Sequence, residues 1–235
     1  MTEHRNHPEA TRQRFDEIAA TYDTQFVRFI GRYEDMHGVM IELVRGMKPE
    51  ARRFLDLGTG TGEVARRVLE AFPSSSVHAV DFSERMVELA RAKLSTYGER
   101  FTCDVAGLAE YAPRSTPPYD AIVSALAIHH LADEDKRQLA VRACAALAPG
   151  GLFLNADLVR GETDLETEIT LALHVESMRA RGLSSEEIED RLRRHRENDI
   201  PATLSDQIRW LKEAGCRDVF VPWKHLWQAI IVGIR

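Results

Sequence analysis

The sequence lacks the features that mark a membrane or disulfide-stabilised protein. Its longest near-continuous apolar runs, Ala121–Ile128 and Leu226–Ile234, are under ten residues, whereas a membrane span needs roughly 18 to 20. The charged N-terminus MTEHRNHPEATRQRF predicts neither a signal peptide nor an anchor. The three cysteines, Cys103, Cys144 and Cys216, are widely separated and predict no disulfide framework and no zinc site. We therefore expect reduced thiols, no membrane partner and a cytoplasmic location.

An excess of positive charge is also missing. Thirty-one basic residues against 37 acidic ones leave a formal charge of −6, which excludes a polycationic binder of nucleic acid, though not a local basic patch. We expect no nucleic-acid partner. A length of 235 residues, of which 44% are hydrophobic, is sufficient for one domain with a sizeable core.

Short apolar strands alternate with helical patterns along the chain, which predicts an α/β fold with a parallel sheet covered by helices. The predicted strands are Arg53–Leu57, Val77–Asp81, Arg100–Cys103, Asp120–Ala125, Leu152–Leu158, Val219–His225 and Leu226–Ile234. The predicted helices are Glu63–Phe72, Glu84–Tyr97 capped by Ser83, Asp133–Ala148 stopped by Pro149–Gly150–Gly151, and Ser205–Ala214 capped by Ser205.

Two helical segments fall outside this alternation. Residues 1–50 precede the first strand, and residues 160–204 lie between the fifth strand and the fourth helix. We expect the first to be an N-terminal cover and the second a helical lid, inserted into a core formed by residues 51–159 and 205–235. Arginines and acidic residues alternate in the lid, which is typical of a solvated, ion-paired face.

A glycine-rich turn, Asp56-Leu57-Gly58-Thr59-Gly60-Thr61-Gly62, joins the first strand to the first helix. Glycines allow a tight turn and close approach of a ligand to the backbone, and the start of the helix offers unpaired amides. The spacing differs from G-x-G-x-x-G, and no Gly-Lys-Ser/Thr follows, which excludes a phosphate-binding P-loop. The turn is therefore either a ligand site or only a tight connection.

Carboxylates stand at the ends of the next two strands. Asp81 can accept hydrogen bonds from both ribose hydroxyls of an adenosine ligand, and Phe82 can lie on the adenine. Asp104 can accept from the exocyclic amine of adenine while a neighbouring backbone amide meets a ring nitrogen. Each Asp alone is more often a loop-capping residue, but three polar strand ends in chain order favour an adenosine site.

This arrangement resembles the class I S-adenosylmethionine-dependent methyltransferases. The matching stretches are FLDLGTGTGEVA (54–65), VHAVDFSERMVELAR (77–91), TCDV (102–105), YDAIVSALAIHHL (119–131) and LAPGGLFLNADL (147–158). The resemblance implies a Rossmann-like, seven-stranded, mostly parallel sheet with an antiparallel last strand, helices on both faces and a helical lid. It also implies S-adenosylmethionine as cofactor and S-adenosylhomocysteine as product.

The resemblance places the cofactor across the ends of strands one to three. Asp56 and the Gly58–Gly60 turn would face its methionine part, Asp81 its ribose, and Ala125 and Leu126 its sulfonium. The full set implied is Tyr33, Asp56, Gly58, Thr59, Gly60, Asp81, Phe82, Met86, Asp104, Val105, Ala125 and Leu126.

A narrower resemblance, to the carboxy-S-adenosylmethionine synthase branch, covers more of the chain. It rests on RFDEIAATYD (14–23), GRYE around Tyr33, LHVESMRARGLSSEEIEDR (173–191) and the C-terminal WKHLWQAIIVGIR. By this match Tyr33 would reach the cofactor's carboxylate. The synthase reads an extra carboxylate with a fourth-strand asparagine and a lid arginine. Here the strand position is Ala125, and Arg191 fits only with a shifted register.

Catalytic and acceptor residues are less strongly indicated. His129 and His130 follow the fourth strand, where an acceptor would sit, and either could be a general base. Adjacent histidines rarely converge on one ion and no carboxylate pattern accompanies them, so no metal site is predicted. Arginines and aromatics of the two helical segments favour an anionic, partly apolar small acceptor. The acceptor candidates are Arg14, Tyr22, Arg28, His174 and Arg191.

Four functions remain open at this point. The sequence favours methyl transfer to a small molecule; the alternatives are a cofactor-modifying enzyme of the synthase type, a methyltransferase acting on a protein, and a non-enzymatic cofactor-binding module. The acceptor atom, whether oxygen, nitrogen, carbon or sulfur, is not indicated. We expect a homodimer, because lids in such proteins often contact a neighbouring subunit.

Overall fold

The computed structural model describes residues 16–17, 28–114 and 116–235. Its strands are β1 (Arg53–Leu57), β2 (Ser76–Asp81), β3 (Phe101–Val105), β4 (Tyr119–Ala125), β5 (Leu147–Leu158), β6 (Asp218–His225) and β7 (Gln228–Ile234). Its longer helices are α1 (Tyr33–Met47), α2 (Glu63–Ala71), α3 (Glu84–Lys93), α4 (Asp133–Ala146), α5 (Asp164–Ala180), α6 (Ser185–Asn198) and α7 (Leu204–Glu213). Short 3₁₀ segments lie at Ser95–Arg100 and Ile128–His130.

The seven strands form one sheet in the order β3-β2-β1-β4-β5-β7-β6. Neighbours from β3 to β5 are parallel, and β7 is antiparallel to both β5 and β6. The predicted mostly parallel sheet with an antiparallel last strand is thus confirmed. The strand order reverses direction between β1 and β4, and ligands of open α/β sheets bind in the crevice at the carboxyl ends beside such a point.

Helices cover both faces of the sheet. One buried cluster joins α1, α2 and α3 to the sheet through residues such as Met40, Val68 and Val87. The other joins α4 and α7 to the opposite face, with Leu139, Trp210 and Leu211. Because each helix turns an apolar stripe to the sheet, the polar strand ends are left between the two layers.

The predicted boundary between α4 and β5 was wrong. Strand β5 begins at Leu147, whereas Pro149–Gly150–Gly151 was expected to separate a helix from a later strand. Its early part is extended because Leu147 pairs with Tyr119, and because Gly150 and Gly151 exchange backbone hydrogen bonds with Arg235. These partners are distant in sequence, so the local turn signal did not reveal them.

Helix caps were predicted with mixed success. Ser83 caps α3 as expected, and its side chain accepts a hydrogen bond from the Met86 amide at 3.1 Å. Helix α7 is capped by Thr203, not by Ser205, because the Thr203 hydroxyl accepts from the Asp206 amide at 3.1 Å. Thr203 also bridges to Arg160, so residues 160–204 leave and rejoin the core at one place.

Helices α5 and α6 form the segment that we call the lid. Met178, Leu183 and Ile188 make a small buried cluster of their own, and Ser184 and Glu187 form a capping box at the start of α6. The expected ion-paired face is present, for example where Arg193 meets Glu197 at 3.0 Å. None of the helices over the described residues combines the length and apolar composition of a membrane span.

Gly58 packs too tightly against the β4 loop to carry a side chain. Its φ is +73°, and a Cβ at this position would lie 2.3 Å from the Cβ of Ala127. Gly150 has a similar φ of +69°, but a Cβ there would meet nothing within 4 Å. Substitutions at these two glycines therefore distinguish the cost of backbone strain from the cost of steric overlap.

We expect Gly58→Ala to lower the free energy of unfolding by about 3 kcal/mol, because it adds overpacking to left-handed strain. Gly150→Ala should cost only about 1 kcal/mol, from the strain alone. Urea denaturation of both variants measures the difference. Equal losses would show that the contact with Ala127 relaxes without penalty.

Candidate active site

Asp56 is a fully buried carboxylate at the end of β1. Its Oδ2 accepts a hydrogen bond from the Thr59 hydroxyl at 2.6 Å, whereas its Oδ1 has no partner among the described residues. Burial, helped by the negative charge of Asp81, raises the pKa of Asp56 to about 7. A buried carboxylate with one unused oxygen is suited to a cationic ligand.

Asp81, at the end of β2, ties two loops together. Its Oδ2 accepts from the Gly60 amide at 2.8 Å and its Oδ1 from the Ser83 amide at 3.0 Å. Burial raises the pKa of Asp81 to about 6, although these amide bonds oppose the shift. Each carboxylate oxygen keeps a second acceptor site, so the group can still bind hydroxyls of a ligand.

The three glycines of the turn have different roles. All have positive φ, but Gly62 packs against Ala90 and Leu94 of the α3 region, whereas a Cβ at Gly60 would meet nothing within 4 Å. Gly58 and Gly62 therefore serve packing, and Gly60 borders open space at the strand ends. Of the three, Gly60 is the one positioned for close approach of a ligand.

The remaining predicted cofactor residues line the same edge, with one exception. Asp104 and Val105 at the end of β3 are exposed, and Phe82 is partly buried beside Asp81. Leu126 adopts a left-handed φ of +54° at the end of β4, an uncommon conformation that is frequent at functional sites. Met86 is only 1% exposed and lies in the core.

Two further residues predicted to contact the cofactor are Tyr33 and Ala125. Tyr33 begins α1 and its ring lies 4.1 Å from that of His37; Ala125 is partly buried at the end of β4. Asp16 was not predicted as a site residue, yet its carboxylate accepts a hydrogen bond from the Ser83 hydroxyl. The α3 cap is therefore linked to a residue far earlier in the chain.

His129 is a buried partner of Asp157. Its Nδ1 lies 2.5 Å from Asp157 Oδ1, and its backbone amide donates to Asp157 Oδ2 at 2.9 Å. Burial lowers the pKa of His129, although the carboxylates of Asp157 and Asp199 oppose this. His129 is only 3% exposed, and its contacts with Asp157 hold the turn in place.

His130 is more accessible and contacts the end of the lid. Its Nδ1 lies 3.2 Å from the Asn198 carbonyl oxygen and 3.3 Å from Asp199 Oδ1. Both partners are acceptors, so Nδ1 carries the proton and Nε2 is the acceptor of the ring.

Several cationic and histidine side chains surround the carboxylate of Asp199 at the end of α6. His195 Nδ1 lies 2.8 Å from its Oδ2, and Arg191 Nη2 lies 3.5 Å from the same oxygen. Burial would raise the pKa of Asp199, but the imidazoles of His129, His130 and His195 hold it below its usual range. Electrostatic contacts of Asp199 thus attach the lid to the turn that follows β4 and contains His129 and His130.

The structure corrects the reasoning on metals. Ligand atoms of His129, His130 and Asp199 lie within 4.8 Å of one another, so the two histidines do converge and a carboxylate does join them. In the structure these groups are joined in a hydrogen-bond network, in which His130 Nδ1 donates toward the Asn198 carbonyl oxygen.

The predicted acceptor residues divide into three groups. His174 and Arg191 are buried in the lid, 2% and 6% exposed. Arg28 is half exposed and lies 3.5 Å from Glu187, which is a surface ion pair. Arg14 and Tyr22 lie outside the described residues.

Comparison with known proteins supports this picture. Residues 54–151 match the sequence family described as a methyltransferase domain. The chain is 21% identical over 209 residues to a carboxy-S-adenosyl-L-methionine synthase of Nautilia profundicola, covering 89% of this chain and 88% of that protein. It is 37% identical over 124 residues to a trans-aconitate 2-methyltransferase of Variovorax paradoxus, covering 52% of this chain but only 45% of that protein.

A solved structure confirms the fold. An O-methyltransferase family protein from Burkholderia thailandensis superimposes with a TM-score of 0.63 at 16% identity, covering 97% of this chain and 60% of the other. At this identity the likeness concerns the fold alone.

The raised pKa of Asp56 predicts a pH-dependent stability. Its pKa is about 7 in the folded protein against 3.8 in the unfolded chain. Between about pH 4 and 7 the folded state therefore retains a proton that the unfolded state has lost, and stability contributed by this group falls as pH rises. A pKa difference of this size corresponds to about 4 kcal/mol.

We expect Asp56→Asn to reduce the loss of unfolding free energy between pH 4 and pH 8 by up to about 4 kcal/mol. Urea titrations of ligand-free protein at several pH values measure this. Asp218→Asn, which alters an exposed residue of β6, is the control and should leave the slope unchanged. Parallel curves for Asp56→Asn and the parent would contradict the buried-carboxylate interpretation.

Proposed function

We propose that this chain, whose residues 54–151 match a methyltransferase domain, is a class I S-adenosylmethionine-dependent methyltransferase that methylates a small molecule held between the His129–His130 turn and the lid. One observation carries the proposal. The ends of β1 and β2 present two buried carboxylates, one with an unused oxygen. A cationic adenosine ligand would supply a positive charge and hydroxyl groups with which these two carboxylates can pair.

The strand ends fit the parts of S-adenosylmethionine in order. The methionine ammonium would pair with Asp56, and the open side of Gly60 would accept the methionine backbone. Asp81 would take the ribose hydroxyls. Asp104 and Val105, both exposed, would meet the adenine amine and ring.

Methyl transfer from this cofactor needs alignment more than activation, since the bound sulfonium supplies an already activated methyl group. Held by Asp56, Gly60 and Asp81, the cofactor would supply its methyl group to the acceptor atom, and the electron pair of the broken carbon–sulfur bond would stay on sulfur. Where the acceptor must lose a proton, His130 Nε2 takes it. Asp199 and the Asn198 carbonyl fix the ring for this task by holding its Nδ1–H.

The lid supports a small acceptor. Residues 198–200 close against the β4 turn through the Ile200 amide, which donates to the His129 carbonyl at 2.8 Å, and through the His130 contact. A covered site excludes water and large substrates. The relative from Variovorax paradoxus is named for methyl transfer to trans-aconitate, itself a small molecule.

A second candidate is modification of the cofactor itself. It is favoured by the match to a carboxy-S-adenosyl-L-methionine synthase over 89% of the chain. Against it, Ala125 replaces the asparagine of that branch, and Arg191 already pairs with Asp199. Mass spectrometry of the nucleoside that copurifies with the protein separates the two, since a carboxylated species would establish the second candidate.

The cofactor site is tested by calorimetric titration with S-adenosylhomocysteine. We expect micromolar binding by the parent and at least a tenfold weaker affinity for Asp81→Asn, because the neutral amide holds ribose hydroxyls less well (about 1.4 kcal/mol per tenfold). Asp218→Asn is the matched control and should bind like the parent. No binding by the parent would refute the proposal.

The role of His130 is tested by turnover. For an acceptor that must lose a proton, His130→Gln is expected to lower kcat about 100-fold or more, with unchanged affinity for S-adenosylhomocysteine. His129→Gln should instead lower the melting temperature, because it breaks the buried pair with Asp157. If His130→Gln keeps full kcat across the pH range, His130 is not the base.

A further inference from the structure

Three buried side chains next to the lid carry polar atoms that no described residue satisfies. These atoms are Trp227 Nε1, His174 Nε2 and both amide atoms of Gln228. The side chains are 5%, 2% and 0% exposed. Because buried polar atoms of folded proteins are almost always hydrogen-bonded, we take four unsatisfied atoms, in the contacting rings of His174 and Trp227 and in the residue that follows Trp227, to indicate a site for a polar ligand.

The three side chains form one place in the fold. The rings of His174 and Trp227 lie 4.4 Å apart. Gln228 follows Trp227 and pairs with Leu158 at the carboxyl end of β5. Strand side chains alternate between faces, so Gln228 shares the face of Ile230, whose cluster also contains Trp227.

The surroundings continue into the acceptor region. The His195 ring lies 4.8 Å from Trp227, and His195 in turn contacts Asp199, which holds His130. A ligand at Trp227 and Gln228 is therefore separated from His130, the proposed base, by the side chains of His195 and Asp199.

The local charge is positive. Burial and the charges of Arg181 and Arg191 lower the pKa of His174 to about 3, and Arg181 also lowers the pKa of His225 beside the β6–β7 turn. His174 is therefore neutral. Its bond to the Phe29 carbonyl makes that ring nitrogen the donor, which leaves Nε2 as an acceptor.

We propose that Trp227, Gln228 and His174 form a subsite that anchors a carboxylate of the acceptor together with a neighbouring hydroxyl; the proposal rests on the methyltransferase function above. The Trp227 indole N–H and the Gln228 amide N–H donate to the carboxylate, near the guanidinium of Arg181. Gln228 Oε1 and His174 Nε2 accept from the hydroxyl. A cationic group would meet Arg181 and Arg191 and is excluded by repulsion.

Binding of the acid is coupled to the position of the lid. His174 belongs to α5, whereas Trp227 and Gln228 belong to the β6–β7 region of the core. The acid enters when α5 lifts from Trp227, and it supplies hydrogen bonds to both sides when the lid is closed. Hydroxycarboxylic acids are thus the substrate class that this chain selects.

The test uses the indole N–H signals of ¹⁵N-labelled full-length protein saturated with S-adenosylhomocysteine. The chain has three tryptophans, and Trp227→Phe assigns the signal of interest. The probes are malate, 3-hydroxybutyrate and salicylate, each paired with its carboxamide. We expect at least one acid to shift the Trp227 signal while the Trp210 signal, on the opposite face of the sheet, stays fixed.

Variants then distinguish a binding role from a structural one. Trp227→Phe and Gln228→Met keep most of the volume but remove the polar atoms, so each should raise the Kd of the responding acid at least tenfold and leave the affinity for S-adenosylhomocysteine unchanged. Trp223→Phe is the matched control and should bind the acid like the parent. Both test variants should also match or exceed the parent's melting temperature, because unsatisfied buried groups are removed.

Each remaining outcome is decisive. Cofactor binding with no response to any acid, or an equal response to the carboxamides, overturns the subsite and leaves the methyltransferase function intact. A lower melting temperature with an unchanged Kd for the acid shows a structural role and also overturns it. Failure of the parent protein to bind S-adenosylhomocysteine would instead refute the proposed function.

Discussion

The carboxylate of Asp81 is the contact on which the site depends. One oxygen holds the Gly60 amide of the glycine turn and the other holds the Ser83 amide at the cap of α3. The ends of β1 and β2 and the start of α3 are therefore fixed relative to one another. Because the carboxylate is buried, the arrangement is stable only while these amides, and a ligand's hydroxyls, compensate for lost water.

Charge is distributed unevenly on the two sides of this contact. Asp56 and Asp81 are both buried, and the negative charge of Asp81 helps to raise the pKa of Asp56, whereas the lid side carries Arg181, Arg191 and several imidazoles. A cationic cofactor and an anionic acceptor would each enter the half of opposite sign. The Asp199 network lies between the halves, so closure of the lid and alignment of His130 are parts of one interaction.

Sequence reasoning succeeded where the signal was local. The alternation of apolar runs located all seven strands, and β1 has the predicted bounds. Serine before an amphipathic run correctly identified the Ser83 cap. It failed at Leu147, where partners distant in the chain decided the boundary, and it identified Ser205 as the cap of α7, although the cap is Thr203. It also missed Asp157, although an acidic residue near the end of a buried strand is the same signal that identified Asp81. It missed Asp199 as well, which follows helix α6 and carries no such signal.

The sequence by itself determined the elements, their order and the polar residues at the ends of the first three strands, because periodicity and capping are encoded within a few residues. Only the tertiary structure decided which of these groups meet. It brought Asp157 to His129, Asp199 to His130 and the ring of His174 in the lid to that of Trp227. Such contacts depend on how the sheet and helices close on one another, and no local pattern of residues specifies that closure.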